Sequence, residues 1–239
     1  VSSAVSQELK SLETSFASSF TYTWNFSRAS EAFYNGTHQK DIFKKTDAEL
    51  KVLRSIDGVY NCYTHFTPSG HIWTDLDIGD TYYMELNKSE DLPPNERQNN
   101  IYMSQALRGD CFFGCYNSDM HEYFRTGAFQ LIEGRHIQPD DKYAVVISDV
   151  LAGLNGLSVG DSFTAKALAN TPESAEALLE AGLANIDEVE IEYTTYGNLE
   201  LEIVGIYKSN ITSYELNTSG RYNLYSIIFS DVYSAKLLD

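Results

Sequence analysis

The cysteines, histidines and aspartates of this chain are the residues whose chemistry could act, and their spacing is the first test of whether they do. There are three cysteines, Cys62, Cys111 and Cys115. At least one stays unpaired, and the spacing spells neither a dense disulfide framework nor a zinc site. Cys111 and Cys115 bracket Phe-Phe-Gly. In a straight strand their Cα atoms would stand about 13 Å apart, beyond disulfide reach, whereas a turn at Gly114 would permit a bridge. Cys62 shares the Tyr60, Cys62, Thr64, Phe66 face of an expected strand, which predicts a buried, inert thiol. A cysteine nucleophile needs a base placed by the fold; His121 follows Cys115 by six residues, but proximity in sequence fixes no geometry, and a partly exposed helix histidine is the expectation.

His65, His71, Asp75 and Asp77 could be drawn as a metal set, yet no compact ligand motif connects them. Asp75-Leu-Asp77 opens like a calcium loop but places Leu86 where the bidentate glutamate belongs. Gly153, Gly156 and Gly160 follow an apolar run without a Gly-Lys-Ser/Thr or GxGxxG pattern, so a turn into a strand is expected rather than a nucleotide loop. No Gly-x-Ser-x-Gly elbow is present. Asn-x-Ser/Thr occurs at Asn25, Asn35, Asn87, Asn210 and Asn217, as chance yields in a chain rich in these residues. The residues therefore predict no catalytic residue, no cofactor and no metal.

Composition narrows the partners. Lys plus Arg total 17 against 34 for Asp plus Glu, so the surrounding field is negative and repels a nucleic-acid backbone while leaving cationic partners open. Residues 173–202 hold nine of the acids and no Lys or Arg, a stretch read as a solvated acidic face. Seventeen tyrosines and 12 phenylalanines indicate a globular, strand-rich chain. No apolar run reaches the roughly 18 residues of a membrane helix, and no signal peptide opens the chain. It begins at Val1 and ends as a helix-like segment, Val232 to Leu238, gets under way, as expected of a piece excised from a longer protein.

The elements that must position these residues read as α+β. Val5, Leu9, Leu12 and Phe16 share one helical face, and a strand is expected over Phe20 to Phe26. Thr46 and Glu49 form a capping box for a helix that buries Leu50 and Leu53 and stops near Asp57-Gly58. Val59 to Phe66 is the next strand. Ile72, Thr74, Leu76 and Ile78 alternate with Trp73, Asp75 and Asp77, and Tyr82, Met84 and Leu86 repeat the pattern after Gly79-Asp80, predicting a two-residue hairpin. Further strands are expected at Ile101 to Leu107, Cys111 to Asn117, Phe129 to Glu133, Tyr143 to Ile147, around Phe163 to Ala167, at Val189 to Tyr193, Leu199 to Tyr207 and Tyr222 to Phe229. Helices are expected from Ser118 to Phe124, from Asp149 to Leu154 with Ser148 as cap, and from Pro172 onward.

Four segments in order resemble the core domain that MacB/FtsX-type ABC-transporter permeases carry outside the membrane. They are Thr46 to Val59; Gly127 with Leu131, Glu133, Gly134 and Arg135; Val145 to Ser148 with Leu151-Ala152 and Gly156 to Asp161; and Ile203 to Tyr207 followed by Ile227 to Phe229 and a closing helix. The resemblance implies a bilobed domain. A porter-like lobe is built from residues 1–66 and 200–239 with part of 110–135, and a smaller, strand-rich, sabre-like lobe mainly from 67–199. Additions near Thr67 to Asn100 and Asn170 to Asn198 depart from the family's compact pattern.

The implied role is non-enzymatic: coupling ATP hydrolysis on a cytoplasmic ATP-binding subunit to substrate export or force transmission, from the extracellular face of a bacterial membrane. A second permease copy or homologue is the implied partner. The acidic stretch favours a cationic peptide as cargo, with Trp73 and Tyr83 on the expected hairpin as its contact surface. The stalks formed by both chain ends are expected side by side. The competing expectation is a free or surface-anchored secreted ligand-binding or sensor protein.

Overall fold

The computed structural model describes residues 48–49, 51–53, 55–57, 65–68, 70–78, 94, 106–108, 111–181, 190–210 and 227–238. The expected first helix and strand, Cys62, Tyr83 with its half of the hairpin, the 182–189 acids and both terminal residues lie outside them. The chain divides into two compact units, residues 1–62 and 63–239. In the first, residues 48–49 and 51–53 are helical, and the Ser55 and Ile56 amides donate to the Val52 and Leu53 carbonyls at 3.0 and 3.2 Å, ending the helix close to the expected place.

The second unit is a mixed α/β fold: one mixed sheet with a few short helices. Its strands are β1 (His65–Phe66), β2 (His71–Thr74), β3 (Ala106–Arg108), β4 (Phe112–Cys115), β5 (Phe129–Gly134), β6 (Ala144–Ser148), β7 (Ser162–Asn170), β8 (Tyr193–Ser209) and β9 (Ile228–Asp231). Their order is β1-β4-β9-β6-β8-β7-β2-β3, with β5 also on β8. β4 with β9 and β6 with β8 are parallel; the other pairs are antiparallel.

The helices are α1 (Glu122–Arg125), α2 (Asp149–Asn155), α3 (Pro172–Ala181) and α4 (Val232–Leu237), with a 3-10 turn at Ser118–Met120. Local chemistry explains the best-defined ones. The Ser148 hydroxyl accepts the Leu151 N–H at 3.0 Å to start α2, and Gly156 ends it at φ 64°, a conformation that costs a residue with a Cβ. Pro172 takes the first position of α3, and the Thr171 hydroxyl accepts the Ser174 N–H at 3.3 Å.

Pairing sharpens two expectations. The alternation around Ile72 holds, with Ile72, Thr74, Leu76 and Ile78 buried and Asp75 and Asp77 exposed. Yet the strand ends at Thr74, and both of its edges are taken, by β3 and by β7. The hairpin partner expected at 82–86 lies outside the described residues. The strand expected at 199–207 lies inside a single 17-residue strand, β8, which begins at Tyr193, so 190–192 form no strand of their own. Tyr196-Gly197-Asn198 form a bulge: between Ala165↔Leu199 and Ala167↔Tyr196, β8 advances three residues for two on β7, with Gly197 at φ 69°.

Apolar side chains fill both faces of the sheet. On one, Val145, Ile147, Leu201, Ile203 and Ile228 pack under α2 and α4 through Leu151, Ala152, Ala235 and Leu238. On the other, Phe129, Val146, Tyr207 and Phe229 pack with Tyr123, Phe124 and Ile137. The second core is aromatic: Phe129 stacks on Tyr207 at 4.5 Å between centroids, and Phe229 meets Phe124 at 4.9 Å.

Candidate functional site

Among the described residues, those singled out from sequence do not converge. Trp73 lies half-buried on β2 opposite Lys166, whose ammonium sits 5.0 Å from the ring centroid; Tyr83 lies outside the described residues. Asp75 accepts the Thr164 N–H at 2.9 Å, and Asp77 exchanges backbone hydrogen bonds with the Asn155 side chain at 2.8 and 2.9 Å, so both pin the end of β2 to neighbouring elements. Among the described residues no three His, Cys, Asp or Glu side chains gather as metal ligands.

Cys111 and Cys115 are free thiols, and Gly114 between them is paired to Ser230 inside β4, so the turn that a disulfide requires is absent. Burial, reinforced by Asp231 and Asp119, pushes the Cys115 thiol well above its usual range. His121 is buried against the Phe113, Tyr123 and Phe229 rings rather than exposed, because its Nδ1 caps α1 by accepting the Tyr123 N–H at 3.4 Å. Cys115 is therefore no nucleophile. A thiol reagent is expected to leave Cys115 unlabelled in the folded chain and to label it only on denaturation, read by mass spectrometry of its peptide.

An open groove of about 390 Å³ lies beside the aromatic core, lined by Asp119, Phe124, Leu131, His136 and Asn210 among others. The Ser118 hydroxyl is 2.9 Å from His136 Nδ1 and accepts the Ile137 N–H at 3.0 Å. The direction of that bond follows the His136 tautomer, and the neutral ring satisfies it either way. Burial lowers the His136 pKa, against the pull of Asp119, and so favours that form. The pair resembles a nucleophile and its base, but Ser118 is fully buried and serves as a structural hydrogen-bond node. The groove is large enough to hold a small group.

The most tightly built polar feature is the joint between α4 and the start of β6. Asp231, buried, accepts the Ser234 N–H at 2.8 Å on one oxygen, and the Ser234 hydroxyl at 2.7 Å and the Ala144 N–H at 2.9 Å on the other. The Ser234 oxygen accepts the Tyr143 N–H at 2.9 Å. Sequence reasoning placed a helix at Val232 without its cap; the signal was Asp231 preceding it. The grip on β6, 87 residues away, has no local signature.

Arg135 makes a two-pronged bond to Asp141, 2.6 and 2.9 Å, and Asp141 also accepts the Gln138 N–H at 2.8 Å. Burial pushes the Asp141 carboxyl up, but the Arg135 and Gln138 hydrogen bonds and the guanidinium charge outweigh it and hold it below its usual value. A carboxyl depressed in the folded state stabilises above its unfolded pKa of about 3.9, and that contribution fades as pH falls through the folded value. Half of the Arg135 side chain is exposed, which limits the pair to about 1 kcal/mol. Asp141→Asn is expected to lower urea stability by about that amount at pH 7 and to match the unmodified chain near pH 2.

No family model matches the chain, and no curated protein matches it.

Proposed function

We propose that this chain is the extracytoplasmic domain of an ABC-transporter permease of the MacB/FtsX type, a non-enzymatic module that couples cytoplasmic ATP hydrolysis to export or to force transmission. The observation that carries the reading is a convergence. Three of the four resembling segments, far apart in sequence, meet along β8. Val145 of β6 is opposite Ile203, the Gly160 N–H donates to the Ile203 carbonyl at 2.8 Å, and the Arg135 N–H donates to the Val204 carbonyl at 2.8 Å beside the Gly134–Gly205 pair. The closing strand β9 joins through Val146 opposite Phe229. Residues that matter to the resemblance are thus the joints of one scaffold, as a mechanical role requires, and catalysis is asked of none of them.

In this reading residues 1–66 and 200–239, with part of 110–135, belong to the porter-like lobe, and 67–199 mainly to the sabre-like lobe. The Asp231–Ser234 joint supports it further, because it ties the closing helix α4 to the middle of the sheet, where a pull on the helix would be passed on as rigid-body motion. The domain stands on the extracellular face of the membrane and works with a cytoplasmic ATP-binding subunit and a second permease copy. Among the described residues no helix is long and apolar enough to cross a membrane. A cationic peptide is the favoured cargo, drawn by the net charge of −17.

The test is the full gene and its product. An apolar helix before Val1 and three after Asp239, with a product that sediments with membranes and co-purifies with an ATP-binding protein, supports the permease. Their absence sinks it. The Asp119–His136 groove favours a second reading, a secreted or surface-anchored ligand-binding protein, which requires release into the medium or attachment without an ATP-binding partner.

A further inference from the structure

Tyr143 is the one residue other than glycine with positive φ among the described residues, at 60°. Its backbone is fixed from both sides, by the Ser234 hydroxyl on its N–H and by the Glu202 N–H on its carbonyl at 2.7 Å. An L-residue with a large side chain is strained in this conformation, which Gly or Asn adopts at lower cost. The fold alone is therefore better served by another residue here.

What tyrosine adds is an exposed ring. Tyr143 meets Tyr233 of α4 edge to face at 5.6 Å, and Lys142 sets its ammonium 5.0 Å from the Tyr233 centroid. Leu237 stands one helical turn beyond Tyr233 on the same face of α4. The three apolar members are 40, 42 and 47% exposed.

The chemistry of this patch selects its occupant. Rings with hydroxyl tips, an aliphatic side chain and a long-stemmed ammonium are the set that settles in the headgroup layer of a bilayer, apolar bodies inward and polar tips at the phosphates. Four residues fall far short of the roughly 20–30 a side that a stable protein interface uses. A chain of net charge −17 is repelled by an anionic lipid surface, so it can approach only through a face that presents a cation. The rings are already ordered by each other and by the α4 joint, so little freedom is lost on docking.

We propose that Lys142, Tyr143, Tyr233 and Leu237 form a membrane-contact site that rests the domain on the lipid headgroups, with Lys142 on a lipid phosphate. The inference rests on the permease reading, which puts a bilayer beside α4. It steadies the α4 end of the domain, so that motion of a membrane helix turns the domain rather than bending its base.

The experiment tethers the chain through a C-terminal hexahistidine to phosphatidylcholine/phosphatidylglycerol vesicles carrying nickel-chelating lipid. Nickel resin without lipid is the control. The Tyr143→Asn/Tyr233→Ser variant is expected to bind the vesicles about ten-fold more weakly than the unmodified chain and the resin equally well. Equal binding to vesicles overturns the proposal. So does a patch-dependent dimer in sedimentation, which would make the occupant a second copy. Should the double variant lose its thermal transition, Lys142→Glu/Leu237→Ser is read instead, since it leaves the Tyr143 backbone and the Asp231 joint untouched. Flanking membrane helices with equal vesicle binding sink the contact site alone; absent helices sink the permease reading independently.

Discussion

Asp231→Ala is expected to cost about 3–5 kcal/mol and to lower the thermal midpoint by about 10 °C or more. The carboxyl accepts three hydrogen bonds, from the Ser234 N–H, the Ser234 hydroxyl and the Ala144 N–H. It is 2% exposed, so water does not replace it when it is removed. An ordinary helix cap lost to alanine costs about 1 kcal/mol. The excess here comes from leaving buried donors on β6 and α4 without acceptors.

Asp231→Asn separates the two contributions. At an isolated helix start Asn caps as well as Asp. Here both oxygens accept, and an amide would turn an NH₂ donor toward either the Ala144 or the Ser234 N–H. Asn is therefore expected to recover only part of the loss, leaving about 2 kcal/mol, whereas a joint that acted solely as a cap would be restored in full. Denaturant midpoints of the three proteins read this directly. An alanine variant within about 2 °C of the unmodified chain would show that the joint does not hold α4 to the sheet.

How much of this was legible in the sequence follows the range of each interaction. The helix from Asp149 was readable because its signals are its own neighbours: Ser148 accepts from Leu151, and Gly156 turns left-handed. The burial of Phe163, Ala165 and Ala167 followed from period two, since one face of β7 is in the core. Pairing was not readable in the same way. Nothing local to Ile72 says that its strand lies between β3 and β7, and a glycine-first pair at 79–80 argued for a partner close in sequence.

Gly197 shows the same limit inside one element. Glycine marks a turn or a bulge with equal right, and only β7 alongside, continuous across the gap, decides for the bulge. The parallel pairs β4–β9 and β6–β8 depend on a chain path that no short window contains. The joint and the patch went unread for that reason: Tyr143 takes a conformation against its own preference because Ser234 and Glu202, far along the chain, hold it.

Gly205→Ala is the substitution expected to cost most, and the glycines of this chain supply their own controls. A Cβ at Gly205 would stand 2.3 Å from the Arg135 carbonyl oxygen and 3.3 Å from its carbon, both backbone atoms that no side-chain rotation can clear. Gly134, its partner in the ladder, faces the reciprocal problem: its Cβ would meet the Val204 oxygen at 2.2 Å, and its φ is 71°. Relief requires β5 and β8 to separate where the Arg135 N–H bonds to Val204, in the middle of the scaffold on which three resembling segments meet. A cost of about 4 kcal/mol or more is expected at either position, to the point of failed folding.

Gly127 and Gly160 also have positive φ, 76° and 94°, but a Cβ there meets nothing within 4 Å. Alanine at these two should cost only the backbone strain, about 1 kcal/mol. Gly153, inside α2 with open space around it and no positive φ, should gain about 0.5–1 kcal/mol as alanine. The expected order, Gly205 and Gly134 far above Gly160 and Gly127, with Gly153 reversed in sign, is read from urea midpoints of five single variants. Strain and close approach are separated by that order: if Gly205→Ala costs no more than Gly127→Ala, the β5–β8 crossing yields to a methyl group and cannot be the rigid joint that the mechanical reading needs.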